Sequence, residues 1–403
     1  MTERLYLGDA YLARFEAEVV SARDREGRPA VILDRSAFYP EGGGQPADRG
    51  TLGGIPVVDV REEDGEVLHL LGGPAPSGRV LGEVDWRRRF DHMQQHHGQH
   101  LLSAAFERLH GARTVSFHLG EELCTIDLDR APSRIGPAEL RGAESAANEA
   151  VWRDLPIAAR EHSPEELARL PLRKEAVKGS RVVVVSAGGP GGGEVVDASP
   201  CGGTHPRRTG EVGVVAVLRA HRWAEGTRVE FACGARVLRL LHEAAERLSR
   251  ASGALRCAPA ELPAGVERLL EESASRRKEA ERLVEALAAA EASRLAEAPP
   301  GPVVARLDPP LSAPAGLRAA AQALAARGRT ALLGGVEGGR AHLCFARPRG
   351  PGPNLGEALR RAAGEVGGKG GGSAELAQGS GPEVGALGRA LDSARKSVED
   401  PGA

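Results

Sequence analysis

Over the first 88 residues, short apolar runs alternate with glycine- and aspartate-bearing turns. The runs at 14–20, 30–33, 55–60 and 66–70 have strand length and are rich in Val, Ile and Leu, so they predict strands that close most naturally as a small β-barrel. The period then changes from two to three and four. Met93, Leu101, Leu102, Ala105, Phe106 and Leu109 form an apolar stripe at helical spacing, and Asp91, with Gln94 three residues on, supplies an N-cap. Beyond it, 114–118 and 123–128 alternate as a strand pair and 137–153 reads as a helix. The run 181–185 reads as a buried strand, and 213–219 and 227–233 complete the sheet. A glycine-rich stretch, 188–193, intervenes.

Residues 260–298 read as one long helix or hairpin arm. Val266, Leu270, Ser273, Ala280, Val284 and Leu287 recur every three or four positions among Glu and Arg, and Pro299-Pro300-Gly301 ends the run. Such an arm either pairs with a second copy as a coiled coil or packs back on its own domain. The last hundred residues give a small α/β unit: helix 316–327, strands 330–333 and 341–345, helix 355–366, then the glycine loop 367–373 with Lys369 inside it, a loop able to offer backbone N–H groups to phosphate. The fold class is therefore α+β. The expected parts are a barrel over 1–88, an α+β domain over 89–250, a helical arm over 251–300 and a C-terminal α/β domain over 301–403.

A chain of 403 residues suits two or three domains. With Lys+Arg 53 against Asp+Glu 55 there is no global field to draw in nucleic acid, so an RNA partner has to be held by local basic patches and shape. Residues 85–90, Asp-Trp-Arg-Arg-Arg-Phe, read equally as an exposed strand end and as a patch for phosphates. The cysteines Cys124, Cys201, Cys233, Cys257 and Cys344 are odd in number and scattered, which suits a reducing cytoplasm better than a disulfide framework. No apolar run approaches about 18 residues and no signal-like segment precedes residue 30, so a cytoplasmic protein without a membrane partner is expected.

The densest chemistry lies at 92–100. His96 and His100 are four apart, so on a helix their imidazoles share a face and can ligate one cation; His92 and His96 have the same spacing, so the helix alone leaves the pair open. A second soft-plus-nitrogen pair, Cys201 and His205, stands on the glycine loop Cys201-Gly202-Gly203-Thr204-His205. Two His/Cys pairs make a zinc site, and their wide separation in sequence argues for a cleft rather than a zinc finger. No Glu follows His96, which removes the metalloprotease mechanism.

The motif His96-x-x-x-His100-Leu101-Leu102, with Cys201-Gly202-Gly203-Thr204-His205 and Thr209-Gly210-Glu211-Val212-Gly213, resembles the editing domain of alanyl-tRNA synthetase and its free-standing relatives, the AlaX proteins. Phe38-Tyr39-Pro40-Glu41-Gly42-Gly43-Gly44-Gln45-Pro46-Ala47-Asp48-Arg49-Gly50 resembles the signature of the barrel that precedes that domain. The C-terminal part, with Ala377-Gln378-Gly379, resembles the DHHA-type domain that ends the synthetase. With the barrel at its start the chain leaves no room for an aminoacylation domain, so a stand-alone editing protein of the long form is expected.

The resemblance implies zinc held by His96, His100, Cys201 and His205, with His92 and His97 outside the ligand set. It implies hydrolysis, by a water on the zinc, of serine or glycine wrongly esterified to tRNA(Ala). Gln45 and Thr204 are expected to assist catalysis, Gly43 and Gly44 to lie beside the substrate, and Thr114 or Ser116 to sense the serine hydroxyl. The C-terminal half is expected to engage tRNA and to form a possible homodimer. Four protein ligands close a tetrahedron, so either one is displaced or the coordination expands when substrate arrives. Two rivals remain: a non-catalytic tRNA-binding protein stapled by zinc, and an editing hydrolase for tRNA(Thr), since threonyl-tRNA synthetase has similar paired motifs.

Overall fold

The alternating pattern of the first eighty-odd residues closes on itself. In a computed structural model of the chain, which describes residues 2–175, 181–187 and 193–400, six antiparallel strands run in the order Arg14–Arg25, Arg28–Leu33, Glu66–Leu71, Ile55–Glu63, Gly50–Leu52, Arg79–Val84 and back to the first. Inward positions such as Phe15, Val31, Leu33, Leu52, Val60, Val67 and Val84 fill the interior. The strands Gly50–Leu52 and Arg79–Val84 were not expected. In the second, Gly82 occupies an inward place against the Phe15 ring while Leu81 is turned outward and exposed, so its apolar alternation is blurred.

The histidine helix spans Trp86–His110 and begins six residues earlier than expected, so the expected domain boundary at 88 falls inside it. Asp85 is the N-cap, accepting the Arg88 backbone N–H at 3.1 Å, and Gly111 ends the helix in the left-handed region at φ 60°. Asp91 is not the cap; its carboxylate accepts from Arg236 Nε at 2.9 Å. The first turn is not a free phosphate patch either. Arg89 is buried against Asp48, and Arg88 donates to Ala47 O at 3.0 Å and to Glu121 at 2.9 Å. Of the apolar stripe, Met93, Leu101, Leu102, Ala105 and Phe106 are buried while Leu109 is 47% exposed.

Two sheets flank this helix where one was expected. The strands Val215–Trp223, Gly226–Cys233, Cys124–Leu128 and Thr114–Leu119 form an antiparallel sheet whose inner face packs with the histidine helix and the helix Pro137–Trp152, through Leu101, Phe106, Ile126, Val229, Phe231 and Ala147. The strand Arg181–Ser186 belongs instead to a separate antiparallel trio with Ile157–Glu161 and Val195–Pro200. That trio positions the site, because Cys201 follows directly on Val195–Pro200. Most of the glycine stretch at 188–193, residues 188–192, lies outside the described residues. A helix over Ala235–Leu255, absent from the sequence reading, follows the last strand.

The chain divides into one unit ending at Ser249 and another beginning at Arg250. In the second unit the helix Leu262–Ala296 precedes a five-stranded sheet ordered Val303–Leu307, Ala331–Glu337, Arg340–Ala346, Leu376–Gly381 and Lys369–Gly372, with helices Pro314–Ala326, Leu355–Glu365 and Leu387–Glu399. The arm packs back on its own unit through small residues. Ala288 and Ala292 are buried with Leu317 and Leu324, whereas Val266, Leu270 and Leu287 of the expected seam are exposed. Nor is the glycine loop a phosphate cradle: Lys369–Gly372 is an edge strand paired with Leu376–Gly381. Its glycines serve close packing, since a side chain at Gly370 would meet Leu359 at 2.7 Å and the Gly379 backbone at 2.9 Å.

Candidate metal centre

Helical spacing brings His96 and His100 to one face of the histidine helix, and the turn after Val195–Pro200 brings Cys201 and His205 against them. Cys201 Sγ lies 3.2 Å from His96 Nε2 and 3.3 Å from His205 Nε2, and the ligand atoms of His96, His100, Cys201 and His205 all lie within 4.8 Å of one another. Tetrahedral zinc, with bonds of about 2.3 Å to sulfur and about 2.0–2.1 Å to nitrogen, sets its donors about 3.3–3.6 Å apart, so the quartet fits that ion. The loop has to be glycine where it crosses the helix: a side chain at Gly203 would meet the His96 ring at 2.0 Å.

The electrostatics favour a cation at the centre. Burial would raise the Cys201 thiol, but His96, His205 and His100 around it hold it well below its ordinary value, as a thiolate. Burial would lower His100, yet the thiolate and the hydrogen bond to Asp197 carry it up to about 9. His205 is pushed by burial down to about 3. Without metal, one proton on His100 therefore sits beside the thiolate, where a cation would take its place.

Each ligand imidazole has its outer nitrogen held by a different group. His96 Nδ1 donates to Gln45 Oε1 at 2.7 Å, His100 Nδ1 to Asp197 Oδ2 at 2.9 Å, and His205 Nδ1 to His97 Nδ1 at 3.1 Å. All three Nε2 atoms are therefore aimed inward, those of His96 and His205 without a proton and that of His100 with the proton a cation would displace. His97 accepts, so it is neutral, and burial followed by the charges of His205 and His100 holds it well below the ordinary histidine range. Asp197 is fully buried. Burial opposes its charge, but Arg173, whose Nε donates at 2.5 Å, and His100 keep it ionised. His92 is buried without a partner for Nδ1 and takes no place among the ligands.

Several expected site residues sit elsewhere in the chemistry. Gln45 and Thr204 are both fully buried and spend their polar groups on each other: Gln45 Nε2 donates to Thr204 Oγ1 at 2.7 Å, and the Thr204 N–H donates to Gln45 Oε1 at 3.1 Å. They stand behind His96 as supports. Gly43 and Gly44 do line a cleft of about 380 Å³, along with His96, His100, Cys201, Gln99 and Thr114. Gly44, at φ 79°, rests its backbone on the Phe117 ring, which a side chain there would meet at 2.6 Å. Ser116 also lines the cleft, but its hydroxyl is spent on Asp127, which Arg228 holds through Nε at 2.7 Å. Thr114 Oγ1 instead donates to Ser103 Oγ at 2.7 Å, on the helix side. Asp197, His97, Gln99 and Ser103 were not foreseen. Only Gln99 carried a signal, as a polar residue between the two histidine ligands on the helix.

With this geometry in place, comparison with known proteins is informative. Residues 182–230 match the threonyl and alanyl tRNA synthetase second additional domain, and residues 312–400 match the DHHA1 domain. The chain is thus of the class that joins a synthetase-type additional domain to a DHHA1 domain. Within that class, the alanyl-tRNA editing protein AlaX-L of Pyrococcus horikoshii is 37% identical over 255 residues, which are 60% of this chain and 61% of that protein. Alanine–tRNA ligases of Methanothrix thermoacetophila and Halorubrum lacusprofundi are each 35% identical, over 99% and 98% of this chain but 45% and 43% of theirs. The chain is thus similar to the alanyl-tRNA editing proteins and to the corresponding part of the alanine–tRNA ligases, and it spans less than two thirds of the length of these relatives. Among the described residues no helix is long and apolar enough to cross a membrane.

Proposed function

We propose that the chain is a zinc-dependent aminoacyl-tRNA deacylase that hydrolyses the ester of serine, and of glycine, wrongly joined to tRNA(Ala). The observation that carries this reading is the convergence of three imidazoles and a thiolate at the wall of a cleft into which Thr114 also faces. A bound zinc supplies a Lewis acid for the ester carbonyl and a positive charge against the oxyanion that develops there.

The chain's own residues do the rest. Asp197, Gln45 and His97 hold the three ligand rings in the tautomer that leaves Nε2 for the metal. His96, His100 and Cys201 line the cleft and His205 does not, so substrate approaches the centre from that side. Lys174, exposed at the cleft, is placed for a phosphate of the terminal nucleotide. Thr114 is the hydroxyl sensor, because it is buried, so that a polar group left unpaired there is costly, whereas Ser116 is exposed to water. The C-terminal unit engages the tRNA body. The exposed Leu269, Leu270, Leu283 and Leu287 of its long helix support a homodimer through this half, since large apolar side chains left in water favour a partner surface. A thiolate ligand suits a reducing cytoplasm.

The test is hydrolysis of seryl-, glycyl- and alanyl-esters on both tRNA(Ala) and tRNA(Thr) by the full chain loaded with zinc. Seryl-tRNA(Ala) should be cleaved fastest and alanyl-tRNA(Ala) slowest. Binding of tRNA without hydrolysis of any ester would leave the zinc-stapled binder, and hydrolysis confined to tRNA(Thr) would change the substrate.

A further inference from the structure

Ser103 lies one helical turn beyond Gln99, fully buried, behind the cleft wall. Its Oγ accepts the Gln99 Nε2–H at 2.8 Å and is hydrogen-bonded to the Thr114 hydroxyl at 2.7 Å. The two hydroxyls share one proton, and that bond fixes the rotation of the Thr114 hydroxyl, so what remains of its hydrogen-bonding capacity is presented to the cleft in a set direction. Gln99 and Thr114 both line the cleft, whereas Ser103 does not reach it.

We propose that Ser103 is a positioning residue for specificity: it fixes the rotation of the Thr114 hydroxyl, so that the site prefers a side chain carrying a hydroxyl over alanine, which fills the same space without one. The inference rests on the deacylase reading above and names what that site recognises. A serine hydroxyl, donor and acceptor both, pairs with Thr114 Oγ1. An alanine methyl cannot, and it leaves a desolvated hydroxyl unpaired, a loss that discriminates far better than size, whereas glycine leaves room for a water there. Without Ser103 the Thr114 hydroxyl turns freely and satisfies itself with water or backbone, so the cost of binding alanine falls.

The experiment compares kcat/KM for seryl- and alanyl-tRNA(Ala) in the wild type, Ser103→Ala and Ser103→Cys, with zinc content measured on each. Cysteine fills nearly the same space but is a weak acceptor, so it preserves packing and not the hydrogen bonds. Both variants should lower the seryl-over-alanyl ratio about tenfold, the worth of roughly one hydrogen bond. Zinc should stay at one equivalent. An unchanged ratio in Ser103→Ala overturns the inference, whether the two rates stay constant or fall together. So does a wild-type ratio in Ser103→Cys beside a lowered one in Ser103→Ala, because that pattern is packing. If the wild type hydrolyses neither ester, the deacylase reading itself has failed and takes this inference with it.

Discussion

Arg89 and Arg173 each hold a buried aspartate, Asp48 at the barrel and Asp197 at the metal centre, and the two pairs are closed differently. Arg89 donates inward from all three guanidinium nitrogens. It binds both oxygens of Asp48 and donates to Ala10 O at 2.7 Å and Ala37 O at 2.6 Å, while Asp48 also accepts the Tyr39 N–H at 2.6 Å. No nitrogen or carboxylate oxygen is left without a partner, so the pair pins the first turn of the histidine helix to the barrel. Asp197 takes Arg173 and Ser199 on one oxygen and spends the other on His100. The barrel's own buried histidine tells the same story: His69 has both ring nitrogens paired, with Ser36 Oγ at 2.7 Å and Val31 O at 3.2 Å. The ligand histidines have one nitrogen paired and one aimed at the centre. The two regions share a chemistry of buried, hydrogen-bonded charge, and they differ in whether the network closes on itself or stops one atom short.

That contrast is broken most strongly at Arg89. Arg89→Met leaves Asp48 buried without a counter-charge and should destabilise the first unit by about 3–5 kcal/mol, read as a lower urea midpoint. Adding Asp48→Leu should recover much of the loss; a single variant that unfolds with the wild type would show that the pair holds nothing. His69 gives a pH signature of the closed region. Burial lowers it from 6.5 to about 4, so it stays neutral when folded and the unfolded chain binds the extra proton between those values. Its contribution is complete above pH 6.5 and is lost as the pH falls toward 4, by about 3 kcal/mol in all. Unfolding free energies at pH 7 and 4.5 should show this slope, and His69→Gln should flatten it.

At the open region, Asp197→Asn should weaken zinc about 10–100-fold in chelator competition, because His100 loses the acceptor that orients and polarises it. The urea midpoint should move less than in Arg89→Met; the reverse ranking would merge the two regions into one. The smallest effect is on selectivity. Thr114→Val should cut the seryl-over-alanyl ratio by about tenfold or more. Ser116→Ala should leave it within about twofold, since that side chain is exposed and water can replace whatever it offers. Equal effects at the two positions would contradict the assignment.

That His96, His100, Cys201 and His205 would come together was legible, because metal-ligand side chains at matched spacings are readable in a sequence, and the four do converge. Their supports were not. Asp197 is an ordinary strand aspartate until His100 and Arg173 meet it, and His97 resembles any helix histidine until His205 arrives. The start of the helix was misplaced for a related reason: Trp86-Arg87-Arg88-Arg89-Phe90 looks solvent-facing, and only Asp48, across the fold, makes Arg89 interior. The long arm inverted its pattern, exposing leucines and burying Ala288 and Ala292, because alanine lets the helix Pro314–Ala326 approach closely. In the C-terminal α/β unit the helices at 316–327 and 355–366 and the central strands at 330–333 and 341–345 were read well, since their apolar runs are buried and uninterrupted, whereas the strands Val303–Leu307, Lys369–Gly372 and Leu376–Gly381 and the final helix Leu387–Glu399 were not.

The central claim is that this centre holds zinc for chemistry rather than for the fold. The most direct measurement follows release of serine from seryl-tRNA(Ala) by the loaded chain, by the same protein stripped with chelator, and after zinc is restored, with circular dichroism recorded at each stage. The account predicts hydrolysis when loaded, background release when stripped with secondary structure retained, and recovery on restoring zinc. Hydrolysis that persists in the stripped protein, or a loaded chain that binds the tRNA and releases no serine, would contradict it.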